Sequence, residues 1–275
     1  MNNPIPKNLT VTCKENGQLC NILKNYLSCC RLCNYFGYKL VVSEDAYILK
    51  SLFNVLKYKG DNLHNNIVRS SWRFAILNSD NNIDLVSNNK YSKMFDDFKD
   101  QLFFKNYNYN SIDFLYNNDL FYEIYLEYSN LFSILLGDLI NKNILKEVNS
   151  FSEKYFDSNT ISIHIRSWYD APNRKKNFDI NNFYKEMDKL SAKNTKFFVC
   201  SDNKKYCNEL KQYQQNKGLD NVIIYQNSLF NCIETSLIEL LLLSKNNLII
   251  GSLISTFTEM AFIANYNINK KIIIV

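Results

Sequence analysis

From residue 156 to the C-terminus, short apolar runs alternate with longer amphipathic ones. Thr160–Ile165 (TISIHI), Lys196–Cys200 (KFFVC), Asn221–Tyr225 (NVIIY), Leu248–Ile250 (LII, closed by Gly251) and Lys271–Val275 (KIIIV) are rich in β-branched and aromatic residues. Such runs predict strands. Between them the period lengthens. Asp179 stands as a cap before Phe183, Met187 and Leu190 at helical spacing. Ser201–Asn203 reads as a turn before a polar helix, Glu234–Ser244 as an apolar helix, and Thr256–Asn265 as a last helix. Strands that alternate with helices predict a parallel sheet covered on both faces, a doubly wound Rossmann-like domain.

The first half is less regular. Leu9–Cys13 (LTVTC) predicts a strand, and the loop from Lys14 to Gln18 leads to a helix of about 18 residues that ends before Gly37, a plausible C-cap. Tyr38–Val42 (YKLVV) predicts the next strand, giving another βαβ unit. Helix is expected around 90–104 and 130–148, whereas 60–90 carries no assignable pattern. The expected architecture is therefore α/β with two Rossmann-like lobes, residues 1–155 and 156–275.

Composition narrows the class. The chain has 275 residues, 46% of them hydrophobic and 21% charged, which suits a well-packed core and excludes a disordered tail. A net charge of +5, with Arg174–Lys176 as the one dense basic cluster, gives no basic stripe, so no nucleic-acid partner is expected. The 42 asparagines, together with abundant Lys, Ile, Tyr and Phe, read as the imprint of AT-rich coding DNA. Of the eight cysteines, Cys30 and Cys33 form a CxxC with no second pair to complete a zinc site. Small buried thiols in a reducing compartment are expected. Residues 1–12 lack the apolar core of a leader, and Leu237–Leu243 is far short of the roughly 20 residues a bilayer requires. A soluble, cytoplasmic chain without a membrane span is the expectation.

In parallel sheets, ligands sit beyond the carboxyl ends of the strands. The first strand of the second lobe delivers His164 and Arg166; the second delivers Ser201, Asp202 and Asn203; the fourth delivers Gly251, Ser252, Ser255 and Thr256. The first strand of the N-lobe delivers Glu15, Asn16, Gly17, Gln18 and Asn21. Arg166 is permanently charged, and its fork matches phosphate oxygens. Ser255, Thr256 and Thr258 would add hydroxyls to a helix N-terminus, a ready anion site. A diphosphate ligand fits this set. With no GxxxxGK[ST] and no GxGxxG, P-loop ATPases and dinucleotide dehydrogenases do not.

The order HIR, then FFVCSDN, then ELLLLSKNNLIIGSLISTFTEMAF resembles the donor-binding domain of GDP-fucose-dependent fucosyltransferases, the superfamily of α1,2-, α1,6- and protein O-fucosyltransferases. The family's HxR is matched by His164 and Arg166, and its strand with a Thr/Ser-Asp pair by Ser201 and Asp202. Its Gly followed by S-[TS]-F-[ST] is matched by Gly251 and Ser255–Thr258. Its N-lobe glycine loop is matched at Gly17 and Asn21. The match covers about residues 9–42 and 160–265 and leaves the middle of the chain unmatched.

The resemblance implies GT-B architecture and inverting transfer, without metal or other cofactor, of fucose from GDP-fucose to a glycan or protein hydroxyl. Arg166 would bind the β-phosphate and stabilise the leaving diphosphate, and losing it would raise the barrier by ~3 kcal/mol. His164 would hold the nucleotide and position Arg166. Ser252, Ser255, Thr256, Phe257 and Thr258 would cradle the diphosphate, and Asp202 would contact the nucleoside. Gly17 and Asn21 would line the acceptor side. Glu15 is the first candidate for the general base and Asp170 the second. Ser167-Trp168-Tyr169-Asp170 stands where relatives carry a second Arg or read HxRxGD, which leaves acceptor class and donor sugar open. Two other readings remain: a non-catalytic nucleotide-sugar or glycan-binding relative, and a transferase with another nucleotide sugar. An Arg166 fork blocked by side chains would favour the non-catalytic one. An interaction module built on the Tyr/Phe-rich 91–128 stretch is the weakest reading, since aromatics are ordinary core material.

Overall fold

The computed structural model describes residues 9–13, 18–23, 26–27, 39–42, 46–53, 75–79, 126, 129–134, 136, 140–192, 194–253, 255–265 and 269–275. Predictions for Glu15, Gly17, Cys30, Cys33 and 90–104 fall outside these residues. The chain divides into two compact units, Met1–Tyr107 with Ile134–Asn141, and Asn108–Ser133 with Lys142–Val275.

In the first unit, β1 (Leu9–Cys13) pairs in parallel with β2 (Lys39–Val42), Val11 opposite Leu40. Residues 19–23 and 26–27 are helical, with Leu23 and Leu27 fully buried, as the βαβ reading requires. The other neighbour of β1 is β3 (Ala75–Ser79), which runs antiparallel, Val11 opposite Leu77. It lies inside the stretch that showed no sequence pattern. The short helix α1 (Tyr47–Leu52) buries Leu49 and Leu52, and Phe53 bridges to Ile140.

The second unit contains α2 (Lys142–Tyr155) and five parallel strands: β4 (Thr160–Ile165), β5 (Lys196–Ser201), β6 (Val222–Ile223), β7 (Leu248–Gly251) and β8 (Lys271–Ile274). Their order in the sheet is β6-β5-β4-β7-β8. Helices α3 (Ile180–Leu190), α4 (Lys204–Gln215), α5 (Cys232–Ser244) and α6 (Thr256–Ile263) connect them. Their starts are built as the sequence suggests. Asp179, Asn203 and Ser255 cap α3, α4 and α6, and Asn231 with Glu234 forms a capping box on α5.

Alternation along β4 sets the two faces of this sheet. Ile163 and Ile165 join Phe183, Met187, Val199, Cys207 and Leu210 in one core, beneath α3 and α4. Ser162 and His164 therefore point to the opposite face. There the Ser162 hydroxyl donates to the Leu243 carbonyl (2.9 Å) and accepts from the Asn246 amide (2.9 Å), tying the strand to the end of α5. The Lys270 amine lies fully buried and donates to the carbonyls of Ser244 (2.7 Å), Ala261 (3.3 Å) and Asn265 (3.4 Å), so one side chain closes the ends of α5 and α6, and burial pushes its pKa down to about 7. Cys200 and Cys207 are buried, and burial pushes the Cys207 thiol up to about 12, far from a reactive thiolate. No helix among the described residues is long and apolar enough to cross a membrane.

Candidate active site

The chain runs from β4 outward to β5 and β6, then returns to place β7 on the other side of β4. The order reverses between β4 and β7, and such a switch point leaves a crevice beyond the strand ends. His164 lies in register with Gly251 of β7 on one side and Cys200 of β5 on the other. The residues singled out after these strands thus emerge side by side.

The β4–β7 side is stitched by short contacts. The Arg166 N–H donates to the Ser252 hydroxyl (2.7 Å), and the Ser252 N–H donates to the His164 carbonyl (3.2 Å). The His164 ring is buried, with Nδ1 2.8 Å from the Thr258 hydroxyl and Phe257 stacked on it at 4.7 Å. Burial pushes the imidazole down to about 3, with Arg166 acting in the same direction and Asp202 opposing them. His164 is therefore neutral at physiological pH and serves as a strut, not a proton carrier. Thr258 approaches this closely because position 251 is glycine: a Cβ there would lie 2.0 Å from Thr258 Cγ2. The need is for space at a crossing of strand and helix. Ser255 caps α6 by accepting from the Thr258 N–H (3.4 Å). The helix start, with half-buried Thr256 and Phe257, brings the positive dipole end beside the His164 ring, on which Phe257 stacks.

Arg166 is enclosed on three sides. Its Nη1 pairs with Asp202 Oδ2. Its Nη2 donates to both oxygens of Asp170, at 2.8 and 3.0 Å. Its guanidinium lies 4.7 Å from the centre of the Trp168 ring. Burial alone would lower the guanidinium's proton affinity, but the two carboxylates more than offset this and raise it. Asp202 is itself fixed, with Oδ1 accepting from the Ser167 N–H (2.9 Å) and the Ser201 hydroxyl (3.2 Å). Both Asp202 oxygens are thus engaged within the protein. Trp168 has φ of +56°, a left-handed conformation costing roughly 1–2 kcal/mol in an L-residue. That reversal begins the turn closed by the Ala171 N–H on the Trp168 carbonyl (3.0 Å), which returns Asp170 to Arg166.

The structure thus joins His164, Arg166, Asp170, Asp202, Ser252, Phe257 and Thr258 into one connected set, flanked by Ser255 and Thr256. Asn21 belongs to the first unit, where it is half-buried and its N–H donates to the Gln18 carbonyl (2.9 Å). Sequence reasoning missed one participant and an ion pair at the end of β5. Trp168 gave no signal. Lys204 and Glu239 pair beside the end of β5, and burial pushes the Glu239 carboxyl upward while Lys204 opposes it. The one signal for Glu239 is an acid in the middle of an apolar helix. Among the described residues, no group of three or more His, Cys, Asp or Glu side chains could hold a metal ion.

No protein-family model matches the sequence, and no curated protein does. Solved structures do resemble it in fold. NodZ alpha-1,6-fucosyltransferase soaked with GDP-fucose aligns over 94% of this chain and 92% of its own, at 13% identity and a TM-score of 0.56. The same enzyme co-crystallised with GDP gives 0.55 at 13% identity, again over 94% and 92% of the two chains. Fucosyltransferase NodZ from Bradyrhizobium gives 0.54 at 14% identity over the same shares. The chain has the α/β, GT-B fold of these fucosyltransferases, the architecture that its strand-end motifs led one to expect.

Proposed function

We propose that this protein is an inverting, metal-independent glycosyltransferase that moves fucose from GDP-fucose to a hydroxyl of a glycan or protein. The observation that carries the reading is the placement of Arg166 and the start of α6 on either side of the β4–β7 switch point, joined through Ser252, His164 and Thr258.

The chemistry follows from that placement. Transfer at an anomeric carbon passes through an oxocarbenium-like state. The departing group is a diphosphate, whose charge is met by the Arg166 fork and by the N–H and hydroxyl donors of Ser255, Thr256 and Phe257 at the helix start. Fixed donors aimed at developing charge do the work that a divalent cation does in metal-dependent transferases, so none is required. His164, Thr258 and Asp202 hold this array in place. A carboxylate takes the acceptor proton; Glu15 and Asp170 are the candidates.

One observation favours the second reading, a non-catalytic relative that binds a nucleotide sugar: both arms of the Arg166 fork are occupied, Nη1 by Asp202 and Nη2 by Asp170. Release of GDP from GDP-fucose, GDP-mannose and UDP-glucose (UDP from the last), with and without a panel of glycan acceptors, separates the two. A transferase releases GDP from GDP-fucose faster when its acceptor is present. Binding of GDP-fucose with no turnover on any acceptor or water supports the second reading. Turnover of another nucleotide sugar alone reassigns the donor.

A further inference from the structure

We propose that Asp170 is an exchangeable counter-ion of Arg166, holding the edge of the guanidinium that a diphosphate takes over when it binds. This rests on the donor reading above and adds to it how the empty site is kept and how it opens.

The two carboxylates on Arg166 differ in kind. Asp202 has 14% of its side chain exposed and is tied as well to the Ser167 N–H and the Ser201 hydroxyl. Asp170 has 38% exposed, and the hydrogen bonds described for it both run to Arg166 Nη2. Releasing Asp202 would strand an anion inside the protein, whereas releasing Asp170 returns a partly hydrated one to water. Asp170 also sits on a short turn, Trp168–Ala171, beyond the end of β4, so it can swing away while the strand stays. Meanwhile Trp168 and Asp202 keep the guanidinium oriented from one face and the other edge.

A guanidinium edge accepts one carboxylate or one phosphate at a time. An incoming diphosphate therefore competes directly with Asp170, and the affinity measured is net of that displacement. The exchange moves no proton and breaks no covalent bond. It also leaves the Asp170 carboxylate uncommitted only after the donor is seated, free to serve an acceptor hydroxyl.

The test is calorimetric titration of GDP and of inorganic pyrophosphate into the wild type, Asp170→Asn, Asp170→Ser and Asp202→Asn. Removing the competitor and its like charge should tighten both ligands about threefold to tenfold in the two Asp170 variants, with a smaller gain at high salt. Asp202→Asn should weaken both. If wild type binds GDP and the Asp170 variants bind it equally or more weakly, the exchange is refuted while the donor reading stands. If pyrophosphate is tightened but GDP binds to none of the four proteins, the exchange stands and the nucleotide reading falls. If neither anion binds any of them, both fall.

Discussion

Replacing Gly251 by alanine tests the join between β7 and α6 at its tightest point. The added methyl would meet Thr258 Cγ2 at 2.0 Å, Oγ1 at 2.7 Å and Cβ at 3.0 Å. Carbon atoms settle at about 3.5–4.0 Å, so α6 must retreat by more than an ångström or Thr258 must abandon its rotamer. Overpacking of this kind costs about 1–3 kcal/mol. Either movement also breaks the buried contact between Thr258 and His164, worth about 1–3 kcal/mol more once an imidazole nitrogen is left without its partner. A loss of about 2–6 kcal/mol is expected, a large share of a domain's usual 5–15. Urea denaturation measures it, and GDP binding should weaken in parallel because α6 carries the helix start. Thr258→Ala is the control. It removes the two closest clashes, leaving the 3.0 Å contact, and alone costs about 1–3 kcal/mol for the unpaired His164. In the double variant the two losses overlap, so it should be at least about 1 kcal/mol more stable than the sum of the singles. Additive losses would refute the crowding argument, and so would a Gly251→Ala variant as stable as wild type.

Three further outcomes are expected. Between pH 6.5 and about 3 the unfolded chain protonates His164 while the folded one resists, so stability is fully present above pH 6.5 and falls on acidification. His164→Gln should flatten that slope, whose upper bound is on the order of 5 kcal/mol, in urea melts across this range. Lys270→Met should cost about 2–4 kcal/mol, because buried carbonyls at the ends of α5 and α6 lose their donor; a thermally neutral variant would contradict the capping role. Trp168→Gly relieves roughly 1–2 kcal/mol of left-handed backbone strain but removes a buried indole whose truncation costs about 3–5 kcal/mol, so folding stability should fall and GDP should bind several-fold more weakly; unchanged binding would show that the ring does not orient the guanidinium.

What the sequence reveals here is what local pattern encodes. The strands ending at Ile165, Ser201 and Gly251 are short runs rich in β-branched and aromatic residues, and their order and caps leave little freedom in the second sheet. At the sheet's edge the pattern is less binding. NVIIY suggests five strand residues, but only Val222–Ile223 joins the ladder, and Tyr225 instead sends its hydroxyl to Glu147 (3.2 Å). β3 is missed because AILNS is a brief apolar run whose strand character comes from an antiparallel partner more than 60 residues earlier. The asparagine excess reads as coding bias, yet the fold uses several of them. Asn203 and Asn231 cap helices, and Asn246 donates to Ser162. The enclosure of Arg166 was illegible for a different reason. It depends on a positive φ at Trp168, and no sequence rule assigns that to a tryptophan.

The central claim is that Arg166 binds the diphosphate of a guanine nucleotide sugar at the β4–β7 switch point. Calorimetric titration of GDP into the wild type and Arg166→Ala measures this most directly. The account predicts saturable binding by the wild type and a loss of about 100-fold in the variant, as expected when a ~3 kcal/mol charged contact is removed. Equal affinity in the two proteins, or a wild type that binds no GDP at millimolar concentration, would contradict it.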